Sequence, residues 1–274
     1  MSLFSLRRAL VLAAVAMLLA GFSAANAQRL TAVGWNVESG GAIPSRIAKR
    51  IRSFQGVDIW GLSEVRNESW AGAFEVAAED GESGNFRHIT GTTGRDDRLV
   101  ILYNAERFLR VSHQQLHHIN PEGRVRAPLV AHFRERATGR EFLFMVNHLY
   151  RGDNAARHRQ ATQLNTWARQ QTLPVIAVGD YNFDWSVSNG DTNHDRGYDN
   201  MTRNGVFNWV RPATLVRSQC DPTFNSVLDF VFTTPGPNGF RGTSEIVVES
   251  GDCPDDGNTP DHRPLRATLT AGGN

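Results

Sequence analysis

Short apolar runs, each ended by a polar cluster, set the pattern of this chain. Leu30–Val37, Val57–Glu64, Phe86–Thr90, Leu99–Tyr103, Phe108–His117, Leu129–Arg134, Phe142–Asn147, Pro174–Gly179, Val227–Phe232, Glu245–Glu249 and Leu265–Leu269 have the length and content of strands. Helical patterning is confined to Ile43–Phe54, Asn67–Ala78 and Asp153–Gln171, the last with Asp153 or Asn154 available as its cap. Strands therefore dominate, which predicts sheets packed face to face with helices outside. The segment 181–219 is long, polar and poorly periodic, and is expected to be a functional loop.

Residues 1–27 stand apart. Arg7 and Arg8 precede an apolar run from Ala9 to Ala20, and Ala25-Asn26-Ala27 has the small-x-small pattern of a signal-peptidase site. The run is short for a membrane span, which takes about 20 apolar residues. A cleaved leader is therefore favoured over an anchor helix, with a mature domain over 28–274 beginning at Gln28, in a secreted or periplasmic setting. No later stretch is apolar enough to span a membrane. Cleavage takes two arginines and no acids from 29 basic and 28 acidic side chains, leaving about −1. That balance does not announce a nucleic-acid binder, although a local patch can sit on a neutral protein. In an oxidising compartment Cys220 and Cys253 are expected to form one disulfide; neither has the spacing of a metal finger.

The polar clusters carry the chemistry. Trp35-Asn36-Val37-Glu38 and Leu62-Ser63-Glu64-Val65-Arg66 end the first two strands. Asn147-His148 and Gly179-Asp180-Tyr181-Asn182 end two later ones, and Pro260-Asp261-His262 precedes the last. Alone, an Asn or Asp at a strand end usually makes a turn. Asp229 is different, because a carboxylate inside the apolar Leu228–Phe232 needs a partner.

Taken in order, Asn36, Glu64, Asn147-His148, Gly179-Asp180-x-Asn182, Asp229 and Asp261-His262 resemble the motif series of the endonuclease/exonuclease/phosphatase superfamily, in its deoxyribonuclease I-like form. The resemblance covers essentially all of 28–274. It implies an α/β four-layer sandwich, two mixed β-sheets flanked by helices, with the site at one end. It also implies Asn36, Glu64 and Asp261 at a site for Mg²⁺ or Mn²⁺, hard cations that prefer oxygen, with Ca²⁺ as a structural or co-activating ion.

The same resemblance pairs His262 with Asp229 and His148 with Asp97, for which Asp96 is the rival. Asp97 is shorter than the Glu of deoxyribonuclease itself. Asp180 and Asn182 would orient water and bind a phosphoryl oxygen, with the general base shared between Asp180 and His262. Arg66, Arg126 and Arg151 are candidate phosphate contacts. Arg66 has a second reading, an exposed arginine at a helix start. Arg157 and Arg159 read equally as a solvated helix face.

A phosphodiester repels nucleophiles, so its hydrolysis needs charge neutralisation, an activated water and help for the leaving oxygen. The leading expectation is an exported, metal-dependent nuclease, monomeric, with nucleic acid as substrate. The alternatives are a phosphodiesterase for phospholipid headgroups, a phosphatase for small anions, and a non-catalytic binding module on the same scaffold.

Overall fold

The computed structural model describes residues 29–253 and 256–272. The expected leader and its cleavage before Gln28 lie outside the described residues. Two six-stranded sheets form the molecule. The first contains β1 (Arg29–Asn36), β2 (Ile59–Val65), β3 (Phe86–Thr90), β4 (Arg98–Asn104), β11 (Phe240–Ile246) and β12 (Leu265–Ala271) in the order β11-β12-β1-β2-β4-β3. The second contains β5 (Phe108–Gln115), β6 (Leu129–Glu135), β7 (Glu141–His148), β8 (Val175–Ser186), β9 (Asn208–Trp209) and β10 (Ser226–Thr233) in the order β5-β6-β7-β8-β10-β9. Helices α1 (Pro44–Ser53), α2 (Glu68–Glu82), α3 (Asn154–Arg169) and α4 (Arg196–Thr202) complete the expected sandwich. Asp153 is the α3 cap, accepting from the Ala156 N–H at 3.0 Å.

The central strands are continuous apolar runs because both their faces are covered. In β4, Leu99 and Ile101 face the core between the sheets, while Val100 and Leu102 join Ile47, Ile51 and Phe74 in the layer beneath α1 and α2. Phe133, Phe142 and Phe144 lie in the inter-sheet core, while Phe183 and Phe230 pack on the outer face of the second sheet against Tyr198 of α4, all of these rings fully buried. Each such ring contributes on the order of 2 kcal/mol by leaving water. The sheets come close at Gly61, where a Cβ would stand 2.3 Å from a Val178 methyl and 2.8 Å from a Val146 methyl.

Two stretches differ from the sequence expectation. The 181–219 segment is not all loop: β8 runs on to Ser186, and α4 and β9 follow. Trp185 is buried in the core, and Trp209 packs on it edge-on. The strand expected at 245–249 lies earlier, at Phe240–Ile246, where a polar edge strand pairs antiparallel with β12.

Candidate active site

Topology brings the strand ends together. β1 and β2 are parallel, so Asn36 and Glu64 finish at the same end. β7 and β8 are also parallel, and their register sets His148 beside Asp180. β10 runs antiparallel to β8 and puts Asp229 opposite Asp180. β12 runs antiparallel to β1, which brings the preceding Asp261-His262 to that end too.

Local irregularity aims the side chains. Glu64 (φ 59°) and Asn182 (φ 52°) sit in the left-handed region, each where its strand loses register with a neighbour. Bulges re-aim side chains in this way, and non-glycine residues hold such angles only when surrounding contacts enforce them. Gly179 (φ 136°) precedes Asp180; a Cβ there would lie 2.0 Å from the Asn147 carbonyl oxygen, so only glycine fits.

Asp180 is the hub. Its Oδ2 accepts from Asn36 Nδ2 at 3.1 Å and lies 3.4 Å from His148 Nε2 and 3.8 Å from His262 Nε2. Its Oδ1 accepts the Asn182 N–H at 2.9 Å. Asn36 Nδ2 also donates to Glu64 Oε1 at 3.0 Å, while its Oδ1 accepts from the Glu38 N–H at 3.1 Å. The two histidines therefore point their Nε2 atoms at one carboxylate from opposite sides.

The histidine pairs are not equivalent. His262 Nδ1 lies 2.7 Å from Asp229 Oδ2, and both residues are buried. Burial opposes charge on His262, but the carboxylates of Asp229, Asp180 and Asp261 outweigh it and push the imidazole up to about 10. Burial pushes Asp229 up, and His262 and the Ser218 hydroxyl work against that. His148 Nδ1 lies 3.6 Å from Asp97 Oδ1, beyond hydrogen-bond reach, and neither buried atom has a hydrogen-bond partner. Asp97 instead pairs with Arg126 at 2.8 Å. Burial opposes its charge, yet His148 and Arg126 hold its carboxyl below the usual range.

The residues fit a divalent cation. Glu64, Asp97 and His148 present ligand atoms within 4.8 Å of one another. Two of the three are carboxylates, the donor type that a hard cation prefers, and the orphaned atoms of Asp97 and His148 lie within the same cluster.

An open cavity of about 380 Å³ has Asn36, Glu64, His148, Asp180, Asn182, Asp261 and His262 in its wall. Arg151 joins them at the rim. Asp97, Asp229 and Arg126 stand behind the wall, and Arg66 is exposed outside it. Arg157 is buried, bonded to the Tyr150 and Arg151 carbonyls and to Asp195, so it is no solvated helix face. Asp184, Gln219, Asp221 and Phe224 also line the cavity and were not anticipated. Neither was Trp35, whose indole N–H donates to the His262 carbonyl at 2.9 Å. Nothing in local sequence pattern marks these residues as parts of a site.

Comparison with known proteins agrees with this architecture. No curated protein matches the chain significantly in sequence. Among solved structures, an endonuclease/exonuclease/phosphatase family protein from Bacteroides thetaiotaomicron is similar at TM-score 0.67 and 21% identity, covering 90% of this chain and 98% of that one. A mannosyl-6-phosphatase from the same organism has TM-score 0.64 and 21% identity, with 88% and 99% covered. D. rerio TDP2 complexed with single-strand DNA product has TM-score 0.67 and 14% identity, again with 88% and 99% covered. The model of the Endonuclease/Exonuclease/phosphatase family matches residues 33–250. A match over most of the chain, taking in the strand ends from Asn36 to Asp229, decides the kinship: the chain belongs to the endonuclease/exonuclease/phosphatase family.

Proposed function

We propose that the protein is an exported, divalent-metal-dependent phosphodiester hydrolase acting on nucleic acid. The observation that carries the hydrolytic reading is the convergence of His148 Nε2 and His262 Nε2 on Asp180 Oδ2 at 3.4 and 3.8 Å. Such a constellation can contact a phosphoryl group with imidazole N–H donors while a carboxylate holds the attacking water. All the acid, base and ligand residues are present, which argues against a non-catalytic binding module.

The roles follow from position. Glu64, which belongs both to the expected set with Asn36 and Asp261 and to the cluster with Asp97 and His148, would hold the cation, Mg²⁺ or Mn²⁺ by donor type. When bound, it neutralises charge on the phosphoryl and departing oxygens. Asp180 orients the water and takes its proton, with Asn182 fixed beside it. His262, held charged by its three carboxylates, donates from Nε2 to a phosphoryl oxygen as negative charge develops. His148 supports the opposite side, and Arg151 meets anionic substrate at the rim. Arg66, exposed outside the cavity, contacts substrate phosphate further out, while Arg126 acts on the site through its ion pair with Asp97. The Cys220–Cys253 disulfide supports export to an oxidising compartment.

A second reading, a phosphatase or phosphodiesterase for small molecules, draws on the outer wall of the cavity. Asp184 and Asp221 add two carboxylates to its wall, which would repel the further phosphates of a long strand. The test is a panel of plasmid DNA, RNA, sphingomyelin and sugar or inositol phosphates, with Mg²⁺, Mn²⁺, Ca²⁺ or chelator. Metal-dependent cleavage of DNA or RNA is expected. Full activity in chelator would sink the metal role, and turnover of small phosphoesters alone would replace nucleic acid as substrate.

A further inference from the structure

Just before β10 the chain lays a short strip against the His262 loop. Gln219 bridges antiparallel to His262. On one side of that bridge the Arg263 N–H donates to the Ser218 carbonyl at 2.6 Å; on the other the Cys220 N–H donates to the Asp261 carbonyl at 2.6 Å. The Cys220–Cys253 disulfide anchors the end of the strip. Ser218, fully buried, also faces the other way. Its N–H donates to the Ser226 carbonyl at 3.1 Å, and its Oγ accepts the N–H groups of Leu228 at 2.8 Å and Asp229 at 3.2 Å.

Those two N–H groups sit where β10 loses register with β8: Val227 pairs with Trp185, but Asp229 pairs with Asp180. An irregularity of that kind leaves the exact placement of Asp229 to other contacts. Ser218 Oγ supplies them. One residue therefore holds the carboxylate half of the pair through its hydroxyl and the imidazole half through its carbonyl.

We propose that Ser218 is a positioning residue that sets the Asp229–His262 pair in register with the Asp180 carboxylate. The proposal rests on His262 taking part in the reaction. A buried pair seated on two separate elements, β10 and the loop before β12, needs a common support. Displacement of a reacting group by about 1 Å can cost about 100-fold in rate. On the opposite side, Trp35 Nε1 and the Glu38 carboxylate brace the same loop, at the His262 carbonyl and the Asp261 N–H. Those braces hold the loop to β1 but do not reach Asp229.

The test uses the mature protein with Ser218→Ala, Ser218→Thr and His262→Ala, assayed with Mg²⁺ on bis(p-nitrophenyl) phosphate, a generic diester. For Ser218→Ala the expectation is a 10- to 100-fold fall in kcat with KM within twofold, at an unchanged circular dichroism spectrum. Ser218→Thr keeps the hydroxyl and should recover most of the loss. Proton NMR gives a readout independent of turnover. The downfield imidazole N–H held by Asp229, identified by its absence in His262→Ala, should broaden or move upfield in Ser218→Ala. An unshifted resonance, or kcat within threefold of wild type, overturns the proposal. Unimpaired turnover in His262→Ala would remove the catalytic reading instead, and the resonance would still report whether Ser218 seats the pair.

Discussion

The two ends of this sandwich bury the same kinds of charge and use them differently. At the end away from the cavity, Arg107 joins the sheets through Asp58, at 2.7 Å, and Glu135, at 2.8 Å. The carboxylates there have further partners: Asp58 Oδ2 also accepts the Thr31 N–H, and Glu135 Oε2 accepts the Thr138 hydroxyl. At the cavity end, buried Asp97 Oδ1, Asn147 Oδ1 and His148 Nδ1 have no hydrogen-bond partner. Unsatisfied buried polar atoms cost about 1–3 kcal/mol each. One end uses its charges to hold the layers together; the other leaves acceptors and donors unmatched, as the proposed cation and phosphate would require.

Substitution at the two ends should therefore have different signatures. His262→Ala is expected to lower kcat by about 1,000-fold, roughly 4 kcal/mol of barrier, and to cost stability as well, because the buried Asp229 loses its cation. Steady-state kinetics beside a urea titration checks both halves, and a loss under tenfold would show that the imidazole is misassigned. Arg107→Met should touch stability alone. Two part-buried carboxylates would lose their cation, for about 3 kcal/mol of stability, with kcat nearly unchanged. A stable variant with poor turnover would break the contrast between the ends.

How far this division could be read from sequence depends on the element. β1, β2, β4 and β7 announce themselves as apolar runs because both faces are covered, and the polar residues that end β1, β2 and β7 stand in the cavity wall. β8 past Gly179 was missed for a physical reason. Asp180, Asn182 and Asp184 are turn formers, and they mask the alternation of Tyr181, Phe183 and Trp185 that marks a strand with one face in the core. β11 carries Arg241, Gly242, Thr243 and Ser244 on a sheet edge, where no apolar run is needed. His262 was legible next to Asp261, but its distance to Asp229 was not. That distance depends on Ser218 and Trp35, which touch it only through the folded chain.

The disulfide lies on the cavity side of the comparison and should affect both properties. It closes a separation of 33 residues, so Cys220→Ala with Cys253→Ala should cost about 2 kcal/mol by freeing the unfolded chain. Because Cys220 is hydrogen-bonded to the Asp261 carbonyl, kcat should fall as well, by severalfold. A stability loss with wild-type kcat, measured well below the unfolding midpoint, would show that the crosslink serves only the fold.

The smallest effect belongs to a third set of the same ingredients. His88 on β3 bridges Glu75 at 2.5 Å and Glu68 at 2.7 Å, an imidazole among carboxylates, as at His262, which has three. Here Glu68 is 66% exposed, so water screens what burial concentrates at the cavity. Burial opposes charge on His88, but Glu68 and Glu75 prevail and raise it above its ordinary value. A raised histidine stabilises the fold fully below its unfolded pKa, about 6.5, and loses that contribution as pH rises through the folded value. The stability difference between wild type and His88→Gln should therefore be largest near pH 6 and shrink toward pH 9. For so exposed a set it should amount to about 0.5 kcal/mol. Urea titrations of both proteins at the two pH values measure it, and a difference that grew with pH would reverse the sign assigned to His88. If the difference instead matched the cost of Arg107→Met, burial would not be what separates these three charge sets.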